Sequence, residues 1–136
     1  MADLKYTLTQ RLERARELRA EGHVCSQCVM MCFPDVHSLT DKQAASIAIG
    51  LGGGVGGQGD ICGCVSAMAM LSGFASEGDP KTKAQTYGGV RALCQQFVQE
   101  NGSLQCRELK TVGRKPCMQL IESAVTIFHN KLEENR

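Results

Sequence analysis

Residues 50–71 read GLGGGVGGQGDICGCVSAMAML. Seven glycines between Gly50 and Gly59 give the backbone a freedom no other residue type has, and the small and apolar residues behind them read as a helix. Asp60 is a good N-cap, which sets the expected helix from there through Leu71. What precedes and follows the glycines decides the fold. The G-x-G-x-x-G match at Gly52 to Gly57 makes a nucleotide cradle only after a strand, and a P-loop only with a following Lys-Ser/Thr pair. No Lys-Ser/Thr pair follows, and upstream Thr40-Asp-Lys-Gln43 forms a capping box for a helix containing Ala44, Ile47, Ala48 and Leu51. The stretch is therefore helix, glycine-rich loop, helix, with the loop serving to bring backbone close to the cysteines and to another helix.

The rest of the chain extends this pattern. Leu4, Leu8, Leu12, Ala15 and Leu18 recur at steps of four and three, an apolar stripe that Gly22 ends, while Arg11, Arg14, Arg16 and Arg19 alternate with Glu13, Glu17 and Glu21 as a solvated face. A second apolar segment runs from Val24 to Phe33 until Pro34 stops it. Asp79-Pro80 announces a helix that Asn101-Gly102 closes, Ser103 caps a short one, and Lys115-Pro116 opens a last helix with Leu120, Ile121, Ala124, Val125, Phe128 and Leu132 on one stripe. No run alternates with period two long enough to make a strand. The expected fold is all-α, a single compact bundle of about six or seven helices over residues 1–136, with the glycine-rich loop before a central helix.

Composition narrows the function. Fifteen Lys and Arg against fourteen Asp and Glu give no general attraction to nucleic acid or an anionic membrane. The start is charged on every turn, unlike a secretory signal, and Ile61 to Ala75 is too short to cross a bilayer, so a cytoplasmic protein without membrane insertion is expected. Eight cysteines in a reducing compartment favour metal ligation or redox chemistry over a disulfide framework, because 136 residues with 43% hydrophobic content can bury a core unaided.

On this helix map Cys25, Cys62, Cys106 and Cys117 fall in first turns, where unpaired N–H groups favour thiolate over thiol. Cys28, Cys32 and Cys94 lie deeper, where a cysteine acts as a small hydrophobe; Cys25, Cys28 and Cys32 share one face. Cys25-Ser-Gln-Cys28 has the C-x-x-C spacing of exchange sites, and Val29 excludes a c-type haem site. Cys62 and Cys64 act together only if the helix begins after Cys62, since positions i and i+2 of a helix point about 200° apart. No second C-x-x-C follows at zinc-ribbon spacing. His23 is the one histidine near a cysteine and reads as a surface residue or a spare base, while Met30, Met31, Met68, Met70 and Met118 read as core.

These residues resemble the C-GCAxxG-C-C family of redox-active proteins. GHVCSQCV is similar to its G-x-x-C-x-x-x-V opening and GGGVGGQGDICGCVSA to its glycine-rich approach and C-G-A-x-x-G motif, while GSLQCREL and Cys117 match its third and fourth cysteines. Cys64 stands where the family has alanine and Ala67 where it has glycine. The resemblance implies a redox role for Cys25, Cys62, Cys106 and Cys117. Two forms of it are open: ligation of an iron–sulfur cluster for electron transfer, with Cys64 as a further ligand, or dithiol/disulfide cycling through Cys25, Cys28 and Cys62. The alternative is a zinc or copper(I) binding module without turnover. The expected partner is a redox protein or a small-molecule electron donor or acceptor, and a homodimer is allowed.

Overall fold

The computed structural model describes residues 4–112 and 114–135. Eight α-helices follow one another: α1 (Leu8–Ala20), α2 (Cys25–Met30), α3 (Pro34–His37), α4 (Asp41–Ala48), α5 (Gly63–Ala75), α6 (Lys83–Asn101), α7 (Cys106–Thr111) and α8 (Cys117–Glu134), with 3-10 turns at Ile49–Leu51 and Pro80–Thr82. Among the described residues there is no strand, only an isolated antiparallel bridge between Ile61 and Gln105. The all-α expectation holds.

Local signals set most of these boundaries. Thr40 and Gln43 exchange the two hydrogen bonds of a capping box (3.1 and 3.0 Å), and Thr7 and Gln10 make an equivalent box that starts α1 later than the leucine stripe suggested. Asp79 accepts from the Lys81 N–H at the 3-10 turn leading into α6, and Gly102, with φ of +100°, ends that helix. Pro34 does more than stop α2: it occupies the first position of α3.

The packing centres on α2 and α5, which share the most extensive interface, while α8 lies against α1, α2, α5 and α6. Phe33 meets Phe128 edge to face at 5.0 Å, and Met30 and Met68 are buried as the sequence indicated.

Arg11 corrects the solvated-face reading of α1, being 1% exposed. Its guanidinium makes a bidentate pair with Asp35 (2.8 and 2.8 Å) and also donates to the Cys32 carbonyl (2.7 Å) and to His129 Nδ1 (3.1 Å), above the Phe33 ring. Four donated bonds compensate the buried charge and join α1 to α3 and α8. Burial works against the Asp35 carboxylate, yet Arg11 outweighs it and holds the pKa below its ordinary value.

The other corrections surround the glycine-rich loop. Gly53, Gly54, Val55, Gly56 and Gly57 all have φ between +62° and +78°, one left-handed turn. Glycine is required at position 54, where a Cβ would stand 2.5 Å from the Asp60 nitrogen. The loop delivers residues 60–62 to the opposite segment: Asp60 O accepts from Cys106 N, and Leu104 O accepts from Cys62 N, both at 2.7 Å. Asp60 is thereby held extended and is not the N-cap of α5; Cys62 occupies that position, and the helix runs on to Ala75. Ser103 is likewise not a cap: it accepts from Gln105 N and donates to Glu108, and α7 begins at Cys106.

Candidate thiol site

Four cysteines stand at the starts of four helices. Cys25, Cys106 and Cys117 are the first residues of α2, α7 and α8, and Cys62 caps α5. Because α5 begins after Cys62, Cys62 and Cys64 are not held on opposite helix faces, which was the condition for their acting together.

The α2–α5 contact brings Cys25 to this pair, and Gly63 makes the approach possible. A Cβ on Gly63 would lie 2.8 Å from Cys25 Sγ and 2.9 Å from the Leu51 carbonyl oxygen. The glycine between the two cysteines is thus a steric requirement of the meeting. All three residues are buried, Cys25 at 8%, Cys62 at 2% and Cys64 at 0% exposure.

Their electrostatics differ by hydrogen bonding. The Cys64 thiol favours the charged form of both Cys25 and Cys62 as a hydrogen-bonding neighbour. It is the largest influence on Cys25, whose pKa falls from 9.0 to about 6; burial opposes, while the Gly53 and Ser26 N–H groups and the charge of Arg19 assist. The Gly53 bond gives the glycine-rich loop its direct part in the site. Cys62 is also lowered, first by Cys64 and then by the N–H groups of Cys64 and Val65, while the charge on Cys25 works against it. Cys64 itself is held protonated, raised well above its ordinary value because its proton serves its neighbours and because it is buried. One S–H therefore supports two sulfurs, and it can serve only one fully at a time.

The remaining cysteines are of two kinds. Burial pushes Cys28 up to about 11 and Cys32 up to about 12, and each donates to a backbone carbonyl, His23 O at 3.7 Å and Arg11 O at 3.2 Å. Cys32 lies beyond the end of α2, so the three cysteines of that segment do not share a helix face. Burial also raises Cys94. Cys106 and Cys117 are half-buried and belong to the same end of the molecule as the triad: Cys106 is raised by burial first and then by charge on Cys62, Cys25 and Cys117. A helix start alone thus does not make a cysteine acidic here; the hydrogen bonds around Cys25 and Cys62 do.

Lys110 was not singled out by the sequence. Its ammonium donates to Cys117 Sγ at 2.7 Å, from α7 to the first residue of α8. The two are seven positions apart on different helices, so only the fold reveals the pair. His23 closes α1, its Nδ1 lying 3.0 Å from the Leu18 carbonyl oxygen. Among the described residues no group of three or more His, Cys, Asp or Glu is arranged to hold a metal ion. Among the described residues no helix is long and apolar enough to cross a membrane.

A family model described as "Putative redox-active protein (C_GCAxxG_C_C)" matches residues 23–131. An uncharacterized protein of Archaeoglobus fulgidus is 27% identical over 141 aligned positions, which cover 90% of this chain and 93% of the relative. No solved structure matches.

Proposed function

The chain belongs to the C_GCAxxG_C_C family of redox-active proteins, and from that premise we propose that it carries out reversible two-electron thiol–disulfide chemistry, with Cys25 as nucleophile, Cys62 as resolving thiol and Cys64 as the hydrogen-bond donor that serves each in turn. The observation that carries this reading is the single buried S–H of Cys64 between two sulfurs of lowered pKa.

The order of events follows from that arrangement. The Cys25 thiolate, held by Cys64 S–H and Gly53 N–H, attacks one sulfur of an oxidised substrate; the substrate S–S bond breaks, a mixed disulfide forms on Cys25, and a first substrate thiolate leaves. Cys25 no longer carries charge. The repulsion it exerted on Cys62 disappears, and the Cys64 hydrogen bond is free for Cys62. The Cys62 thiolate then attacks Cys25 Sγ, the second substrate thiolate leaves, and a Cys25–Cys62 disulfide remains. The Cys62 proton goes to one substrate thiolate, and the other takes a proton from solvent in place of the one Cys25 had already released. Run in reverse, the same steps oxidise a dithiol.

The test is oxidation of anaerobically prepared protein with hydrogen peroxide, followed by peptide mapping. A Cys25–Cys62 disulfide that a small dithiol reductant removes is the expected result. Brown protein with acid-labile sulfide would overturn the reading in favour of a cluster on Cys25, Cys62, Cys106 and Cys117. Colourless protein with stoichiometric zinc or copper would overturn it in favour of a binding module.

A further inference from the structure

The site has an access problem. Thiol–disulfide exchange needs an approach to the attacked sulfur, and a disulfide carried on a peptide backbone has little access to Cys25, Cys62 and Cys64, three buried residues. Two further cysteines stand at the same end of the molecule and are reachable: Cys106 and Cys117 are both half-buried. Backbone and side-chain bonds tie both to the buried thiols through α7, Cys106 by its own N–H to Asp60 and Cys117 by Lys110.

The segment that joins them is built as a bridge. Its first end is clasped to the triad, since Cys106 N donates to Asp60 O at 2.7 Å and Arg107 N to Gly59 O at 3.1 Å, both on the segment that leads into Cys62. Its second end holds Cys117, through Lys110 Nζ at 2.7 Å from Sγ. Between the two ends α7 has six residues, one of them buried (Leu109), and shares no extensive interface with any other helix.

Resting on the exchange reading above, we infer that Cys106 and Cys117 form an outer thiol pair that passes electrons between a peptide or protein disulfide and the buried Cys25–Cys62 pair. The Cys117 thiolate, with the Lys110 ammonium against it, attacks one sulfur of the partner disulfide. The partner S–S bond breaks, a Cys117 mixed disulfide forms, and the departing thiolate takes a proton from Lys110. Cys106 gives its proton back to Lys110 and attacks Cys117 Sγ, which releases the second partner thiolate and closes a Cys106–Cys117 disulfide. Cys25 attacks Cys106 Sγ and frees Cys117; Cys62 attacks Cys25 Sγ and frees Cys106. The Cys62 proton restores Cys106 and the second partner thiolate takes a proton from solvent, so that one partner disulfide has become two thiols and the inner dithiol has become the Cys25–Cys62 disulfide. Two electrons have moved inward.

The experiment compares two oxidants on reduced wild-type protein, Cys117→Ser and Cys106→Ser, with quenching and peptide mapping. Oxidised glutathione supplies a disulfide on a peptide, and hydrogen peroxide is small enough to reach the inner pair directly. Cys117→Ser should slow closure of Cys25–Cys62 by glutathione at least about tenfold and leave the peroxide rate unchanged, which also shows that the variant is folded. Cys106→Ser should accumulate glutathione on Cys117, because the resolving thiol is gone. Wild-type rates with glutathione in Cys117→Ser, or no glutathione on Cys117 in Cys106→Ser, would overturn the relay while the inner disulfide still forms with peroxide. If peroxide fails to close Cys25–Cys62 in the wild type, the exchange reading fails and the relay falls with it.

Discussion

Replacing Cys64 by alanine removes the hydrogen bond that does most to hold Cys25 near a pKa of about 6 rather than 9.0. Burial then opposes the thiolate with only the Gly53 and Ser26 N–H groups and Arg19 to offset it, which raises the Cys25 thiol back toward its ordinary value of 9.0. The consequence for rate is not a simple loss. A thiolate of higher pKa is also the stronger nucleophile, and with a Brønsted coefficient of about 0.4–0.5 a rise of about two units makes it roughly eightfold more reactive. Modification of Cys25 by the small electrophile methyl methanethiosulfonate should therefore be about tenfold slower than wild type near pH 5, nearly unchanged near pH 7 and several-fold faster above about pH 9. The assay is the pH profile of Cys25 labelling, read by peptide mapping. Cys64→Ser, which keeps a donor, should stay close to the wild-type profile. An alanine variant whose profile still has its midpoint near pH 6 would refute the assignment of Cys64 as the source of Cys25 acidity.

Gly63→Ala places a methyl group 2.8 Å from Cys25 Sγ and 2.9 Å from Leu51 O, so it should destabilise the reduced protein by about 1–3 kcal/mol in denaturant titrations and raise the Cys25 labelling midpoint. Arg11→Met leaves Asp35 in a largely buried place without its partner and should cost about 3–5 kcal/mol, most of it recovered in the double variant Arg11→Met/Asp35→Leu. Stability of the reduced protein should rise as pH goes from about 6 to about 9, by an amount on the order of a few kcal/mol, because over that window the native state has released the Cys25 proton that the unfolded chain still binds. Thermal melts should show that limb flattened in Cys25→Ser, and stability falling again above about pH 9, where the unfolded chain ionises Cys28 and Cys32 while the native state keeps them protonated.

Helix starts were legible where the signal is local. The Thr40 box, Asp79-Pro80 and the Pro116 start of α8 depend on residues within four positions of one another, and the last of them placed Cys117 correctly at a helix beginning. Asp60 failed because its backbone is claimed by residues more than forty positions away, an antiparallel pairing that local propensity does not register. Arg11 failed for a similar reason: Asp35 and His129, which make its burial tolerable, lie far along the chain. At the site, the sequence marked Cys25 and Cys62 and left Cys64 as a spare ligand. Its place as a proton holder follows only from α5 beginning at Gly63 and α2 packing against that turn.

The paired backbones of residues 60–62 and 104–106 have a topological consequence. They tie off everything between them, so α5 and α6 form a loop whose mouth is pinned beside the cysteines and whose far turn, around Glu77 and Gly78, lies about 20 Å away along α5. Lengthening a loop whose ends are already fixed costs little, about 0.6 kcal/mol for each doubling of its flexible part. That turn is where a peptide tag or a whole reporter domain can be threaded into the chain with the thiols left undisturbed.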